Sequence, residues 1–109
     1  MKLVVIESPY AGDVERNVAY ARACMADSLK RGEAPIASHL LYTQPGILDD
    51  TKPEERKLGM EAGFAWNRHA ELVVAYIDLG MSRGMATGCE LAAKRGIPVE
   101  YRSIEGWRA

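Results

Sequence analysis

The sequence predicts a single-domain, three-layer α/β sandwich: a four-stranded parallel sheet in the order 2-1-3-4 with helices on both faces, flavodoxin-like or Rossmann-like. Three observations lead there. Short β-branched or wholly apolar runs alternate with segments of helical periodicity, in the order β-α-β-α-β-α-β. The helical segments, about 12 to 18 residues each, are long enough to be right-handed crossovers between parallel strands. The turns that follow the strands are polar or rich in glycine, whereas the strands themselves are apolar.

Taken in order, residues 2–7 form a β-branched run closed by Ser8-Pro9 and read as a buried strand. The apolar positions Val14, Val18, Ala21, Met25 and Leu29 then fall on one helical face, with Asp13 placed to cap the helix and Gly32 to end it. Residues 34–37 are a short second strand that Pro35 marks as an edge, running on into Ser38-His39-Leu40-Leu41-Tyr42. Residues 43–50, with Pro45, Gly46 and two aspartates, make a loop of more than ordinary length, the kind that serves as a lid or binding element. Thr51 and Glu54, with Pro53 between them, have capping-box spacing and open a second helix that reaches about Arg68. Residues 72–77 are apolar throughout, as a strand covered on both faces must be. Ser82 caps a third helix ending before Gly96, and residues 97–101 supply the fourth strand.

Composition narrows the function. The net charge is −1 and no block of five residues is dominated by Lys and Arg, which argues against polymeric nucleic acid as a partner. Cys24 and Cys89 stand outside any CxxC or Cys/His cluster and read as reduced core residues of a cytoplasmic protein. The apolar start Leu3-Val4-Val5-Ile6 is too short for a signal core and nothing approaches the roughly 20 residues of a membrane span, so no membrane partner is expected. His39 and His69 lack spaced carboxylate partners, so neither a metal nor another cofactor is expected.

In open α/β sheets, ligands bind beyond the carboxyl ends of the strands where the winding reverses, here between the first and third strands. Three segments are expected to meet there: Ser8-Pro9-Tyr10-Ala11-Gly12, Ser38-His39, and residues 78–85. Ser82 and Gly84 open a helix whose free N–H groups attract an anion and whose glycine lets a phosphate come close. Arg83 either adds charge to that grip or is solvated. Asp78 either receives ribose hydroxyls, works as acid or base, or caps its own turn. His39 polarises a leaving base, contacts phosphate or bonds a neighbouring carbonyl. Tyr10 and Tyr42 are candidates for stacking on a base, while Tyr76 in a strand and Trp66 on a helix are assigned to the core. Neither a Walker A motif nor GxGxxG is present.

The Ser-Pro-Tyr-x-Gly turn, His39 after the second strand, and Asp78 followed by Ser82-x-Gly84 at a helix start resemble the nucleoside 2-deoxyribosyltransferase-like superfamily. The likeness runs over residues 2–101, is closest to small uncharacterised members common in phages and bacteria, and makes residues 1–109 one such domain. It implies a pocket for a nucleoside or nucleoside monophosphate, in which a glutamate early in the last helix attacks the anomeric carbon and an aspartate after the third strand assists. The deoxyribosyl unit then passes to another base or to water. Asp78 matches the aspartate, and Ser82 with Gly84 matches the anion-binding turn.

The glutamate's place falls on Gly88, whereas Glu90, the helix's only acidic residue, stands two positions later and so about 200° round the helix. Glu7 and Glu61 are further carboxylates able to substitute, and nothing in the sequence singles them out. Two functions therefore stay open. One is a hydrolase or transferase acting on an N-glycosidic bond through Asp78 and Glu90. The other is a non-catalytic nucleotide-binding protein in which Gly88 makes room for ligand. In either, Ser8, Pro9, Tyr10, Gly12, His39, Ser82, Arg83, Gly84, Met85 and Gly88 are the expected ligand contacts. The exposed sheet edge and apolar helix faces predict a homodimer or larger symmetric assembly, with residues 102–109, Trp107 among them, at that contact or over the ligand.

Overall fold

The structure of the protein, a computed structural model, describes residues 1–107. Its four strands are β1 (Leu3–Glu7), β2 (Ala34–Ile36), β3 (Leu72–Tyr76) and β4 (Val99–Arg102), joined through α1 (Val14–Lys30), α2 (Pro53–Asn67) and α3 (Arg83–Lys94). All pair in parallel in the order β2-β1-β3-β4, as the sequence predicts. The register sets Glu7 of β1 beside Ala75 of β3, so both strands end at one level and their following turns share one rim.

Alternation along the strands divides the core. Val4 and Ile6 of β1 and Val74 and Tyr76 of β3 face Tyr20 and Cys24 of α1. Val5 and Val73 face Ala92 of α3, and Ala75 packs with Met85 and Cys89 of the same helix. β3 is buried at every position, which is why its sequence is apolar without interruption. Both cysteines are free and buried.

Three expectations need correction. The buried face of α1 is Asn17, Tyr20, Ala21, Cys24 and Ser28, whereas Val14 and Leu29 are exposed. Polar residues reach the core because each is satisfied there: Asn17 Nδ2 donates to the carbonyls of Tyr10 and Ala11 at 2.8 and 3.2 Å, and Ser28 Oγ donates to Glu33 at 2.8 Å. The capping box before α2 is absent. Thr51 donates to Asp49 instead, while Glu55 accepts from the Asp49 backbone N–H at 3.0 Å. Trp66 is not a core residue; it is 48% exposed and its Nε1 donates to Tyr42 Oη at 2.7 Å.

Two contacts fasten the periphery. The Arg102 guanidinium on β4 makes a bidentate pair with Glu33, both N···O distances being 2.7 Å, and also contacts Glu100. Tyr76 Oη beside it donates to Asp27 at 2.7 Å, so the end of α1 is tied to β3 and its following turn to β4. At the opposite border, Ala34 N–H donates inward to the Lys2 carbonyl at 2.9 Å, which turns the donor-less nitrogen of Pro35 outward. Among the described residues no helix is long and apolar enough to cross a membrane.

Candidate functional site

β1 leads directly into the turn at residues 8–12, which Asn17 holds by its two bonds to the Tyr10 and Ala11 carbonyls. Asp13 caps α1 by accepting from the Arg16 N–H at 3.1 Å. Beyond β2 the chain makes a 3-10 turn, Ser38–Leu40, in the segment that the sequence places directly after the second strand. That turn brings the His39 ring flat against Tyr10, with centroids 5.2 Å apart and planes 20° from parallel. After β3, Ser82 caps α3 by accepting from the Met85 N–H at 3.2 Å, and Met85 Sδ accepts from the Ser82 N–H in return.

These elements enclose a crevice of about 100 Å³ lined by Tyr10, Ala11, His39, Asp50, Arg56, Met60, Ser82, Arg83 and Gly84. Tyr10, Ala11, Asp50 and Arg56 also line an adjoining cleft of about 890 Å³, walled by Gly12, Val14, Thr43 and residues 45–53, a size typical of small-molecule sites. The crevice has two chemical ends. One is the Tyr10–His39 pair, apolar on its faces. The other is the N-terminus of α3, with its unpaired N–H groups and positive dipole end, flanked by Arg83 and Arg56. A Cβ on Gly84 would meet nothing within 4 Å, so the backbone there is open to a close ligand. Burial lowers the pKa of His39, leaving a neutral ring that donates at one nitrogen and accepts at the other at neutral pH. Arg56 Nη1 is 4.0 Å from Asp50 Oδ2 across the same opening, so the charge around it is mixed with a cationic excess.

Of the residues expected at the site, Tyr10, His39, Ser82, Arg83 and Gly84 line the crevice, and Gly12 lines the wider cleft. Pro9 is half-buried beside them. Ser8 is buried, and its Oγ has no hydrogen-bond partner. Met85 lies in the core against Ala75 and Cys89, supporting the crevice from below rather than lining it. Asp78 lies outside the lining. Its carboxylate accepts from Tyr20 Oη at 2.5 Å and from the Ile104 N–H at 3.0 and 3.1 Å, fastening the C-terminal segment to α1. Glu90 is exposed on the outer side of α3, in a shallow dip with Met81, Ala86, Val99 and Tyr101, while Gly88 faces inward. Trp107 packs on Tyr20 with ring centroids 5.0 Å apart, away from the crevice, and residues 108 and 109 of the tail lie outside the described residues.

Asp50, Arg56 and Met60 join the site without having been singled out in the sequence. Arg56 and Met60 are one turn apart on the helix that follows the long loop and so share a face, but nothing in the sequence marks that face as bordering the site. Glu7 lies outside both linings. Its carboxyl group packs against Gly88, and burial with no compensating charge pushes its pKa up to about 8. Among the described residues no group of three or more His, Cys, Asp and Glu is placed to hold a metal ion.

Residues 2–102 match the family described as Domain of unknown function (DUF7768). No curated protein matches the chain. Solved structures share its fold, two of them as follows. A 2-deoxyribosyltransferase from the psychrotolerant bacterium Bacillus psychrosaccharolyticus is 17% identical with a TM-score of 0.66, over 98% of this chain and 76% of that one. A 2-desoxiribosyltransferase from Leishmania mexicana is 15% identical with a TM-score of 0.67, over 94% of this chain and 65% of the other, so this chain spans just under two thirds of that protein. At these identities the likeness is one of fold: the architecture is nucleoside 2-deoxyribosyltransferase-like.

Proposed function

The chain belongs to the DUF7768 family, and from that premise we propose that it binds a nucleoside or nucleoside monophosphate in the crevice and acts on its N-glycosidic bond, by hydrolysis or by transfer of the sugar. The observation that carries this reading is the pairing of an aromatic wall, Tyr10 on His39, with an anion-attracting helix end, Ser82 to Gly84, across one opening. A base stacks on the first and a 5′-phosphate meets the second, with the sugar between. The adjoining cleft of about 890 Å³ leaves space for water or a second base to approach. The whole chain, residues 1–109, acts as one such domain in the cytoplasm.

A second reading has its own support. Asp78 is engaged by Tyr20 and Ile104, and Glu90 lies on the far side of α3, so neither expected catalytic carboxylate borders the crevice. A protein that senses or sequesters a nucleotide without turnover needs neither. The two readings separate on incubation with each deoxynucleoside and its 5′-monophosphate, following free base by chromatography and binding by thermal shift. Base release supports the enzyme, and a thermal shift without base release supports the binder. Absence of both removes the nucleotide reading.

We also propose that the chain works as a homodimer or larger assembly. The support is an apolar recess at the β2 border, lined by Leu3, Ala34, Ile36 and the half-exposed Trp66. A monomeric mass by light scattering at micromolar concentration would remove that proposal.

A further inference from the structure

Along β1 the side chains of Val5 and Glu7 share the face that α3 covers, and Glu7 meets that helix at Gly88. A Cβ on residue 88 would stand 2.6 Å from Glu7 Cδ and 2.9 Å from Oε1, far inside contact distance. Glycine is therefore what gives the Glu7 carboxyl group its place. Gly88 is held in turn by Asn67, fully buried at the end of α2, whose Nδ2 donates to the Gly88 carbonyl at 3.1 Å.

Among the described residues the Glu7 carboxyl makes neither an ion pair nor a hydrogen bond. A partly buried carboxyl left unpartnered costs stability, and such a group persists where it is used on something else. Its surroundings say on what. Glu7 directly precedes the turn that carries Tyr10, one wall of the crevice, and Gly88 stands one helical turn, about 6 Å, beyond Gly84, which forms the other. The carboxyl is thus packed about one helical turn below the α3 end, beneath the crevice lining rather than within it. Without a cation to ionise it, the group keeps its proton up to a pH of about 8.

We propose that Glu7 is the proton donor to the departing base, working from the place that Gly88 leaves open; this rests on the nucleotide reading above. The bond from the sugar's anomeric carbon to the base nitrogen breaks, its electron pair going to that nitrogen, which takes the Glu7 proton. Water adds its oxygen to the anomeric carbon and returns one proton to the Glu7 carboxylate, so the enzyme ends as it began and the products are free base and free sugar.

The test is base release from deoxynucleosides and their 5′-monophosphates by the full chain, Glu7→Gln and Glu7→Asp, with nucleotide binding measured on each by calorimetry. The wild-type rate is expected to fall as pH rises through about 8. Glu7→Gln, which keeps size and shape, is expected to lose a factor of about 100 or more in kcat while still binding nucleotide. Glu7→Asp, with the acid drawn back by one methylene, is expected to lose less than Glu7→Gln and to keep the pH limb. Wild-type rates in Glu7→Gln overturn the proposal and leave the enzyme reading standing. A wild type that binds nucleotide but releases no base overturns it and leaves binding standing, and one that neither binds nor releases takes both away.

Discussion

Glu7 makes a prediction about stability that does not depend on any ligand. Its pKa stands at about 8 in the folded protein against 4.5 for an ordinary glutamate. The folded state therefore holds a proton that the unfolded chain releases. The stability this contributes is complete below pH 4.5 and is lost as pH rises through about 8. Glu7→Gln should match the wild type in urea unfolding at acid pH and exceed it above about pH 8. Equal stabilities at alkaline pH would mean that the carboxyl is not desolvated. Asp78 makes the opposite kind of prediction. Replacing it with alanine strips Tyr20 Oη and the Ile104 N–H of their acceptor, which should cost about 1–3 kcal/mol in urea unfolding. Both assignments follow from parity. Asp78 is two residues beyond Tyr76 and shares its α1 face, whereas Glu7 is two beyond Val5 and shares the α3 face. That alternation was legible in the sequence once the strands were drawn, and placing Asp78 by strand end alone passed over it.

Among the elements, α3 does most to shape the crevice, and Ser82 at its start is the residue to vary. Ser82→Ala removes the side-chain cap and should lower stability by about 1 kcal/mol by thermal unfolding. On the nucleotide reading it should also weaken binding of a nucleoside monophosphate more than of the matching nucleoside, since the phosphate alone meets the helix end. Equal weakening of both would place the phosphate elsewhere. The α3 cap was legible because a serine before a helical run has few other uses. The face of α1 was not. Its aliphatic residues suggested a stripe through Val14 and Leu29, while the buried stripe contains Asn17, Tyr20 and Ser28, whose partners Tyr10, Asp78 and Glu33 come from three separate parts of the chain. Periodicity counts apolar residues, and it cannot register a polar group that finds its acceptor only after folding. Thr51 failed as a cap for a related reason, since the nearer Asp49 claims its hydroxyl.

At the scale of the molecule, the pair between Glu33 and Arg102 joins the turn after α1 to the last strand. The pair draws the Glu33 carboxyl down to about 2 from 4.5. Its stabilisation is therefore fully present above pH 4.5 and is lost as pH falls towards 2. Glu33→Gln should cost about 1.5–3 kcal/mol at neutral pH, because it removes the bidentate charge-assisted pair and leaves the buried guanidinium with the half-exposed Glu100 as its counter-charge, and should flatten the acid limb of the stability profile. An unchanged acid limb in urea titrations would refute that linkage. The architecture itself was readable from strand and helix alternation, and the rim that gathers Tyr10, His39 and Ser82 follows from the strand order. The contribution of α2 through Arg56 and Met60 was not, because nothing local records that the long loop folds back over the rim. The outward-facing nitrogen of Pro35 has a consequence for how copies of this chain can meet. A neighbour laid along β2 finds a three-residue ribbon that withholds a hydrogen where the next ladder rung would form. That flank does not template further β-structure, so crowded molecules have one fewer route to runaway stacking.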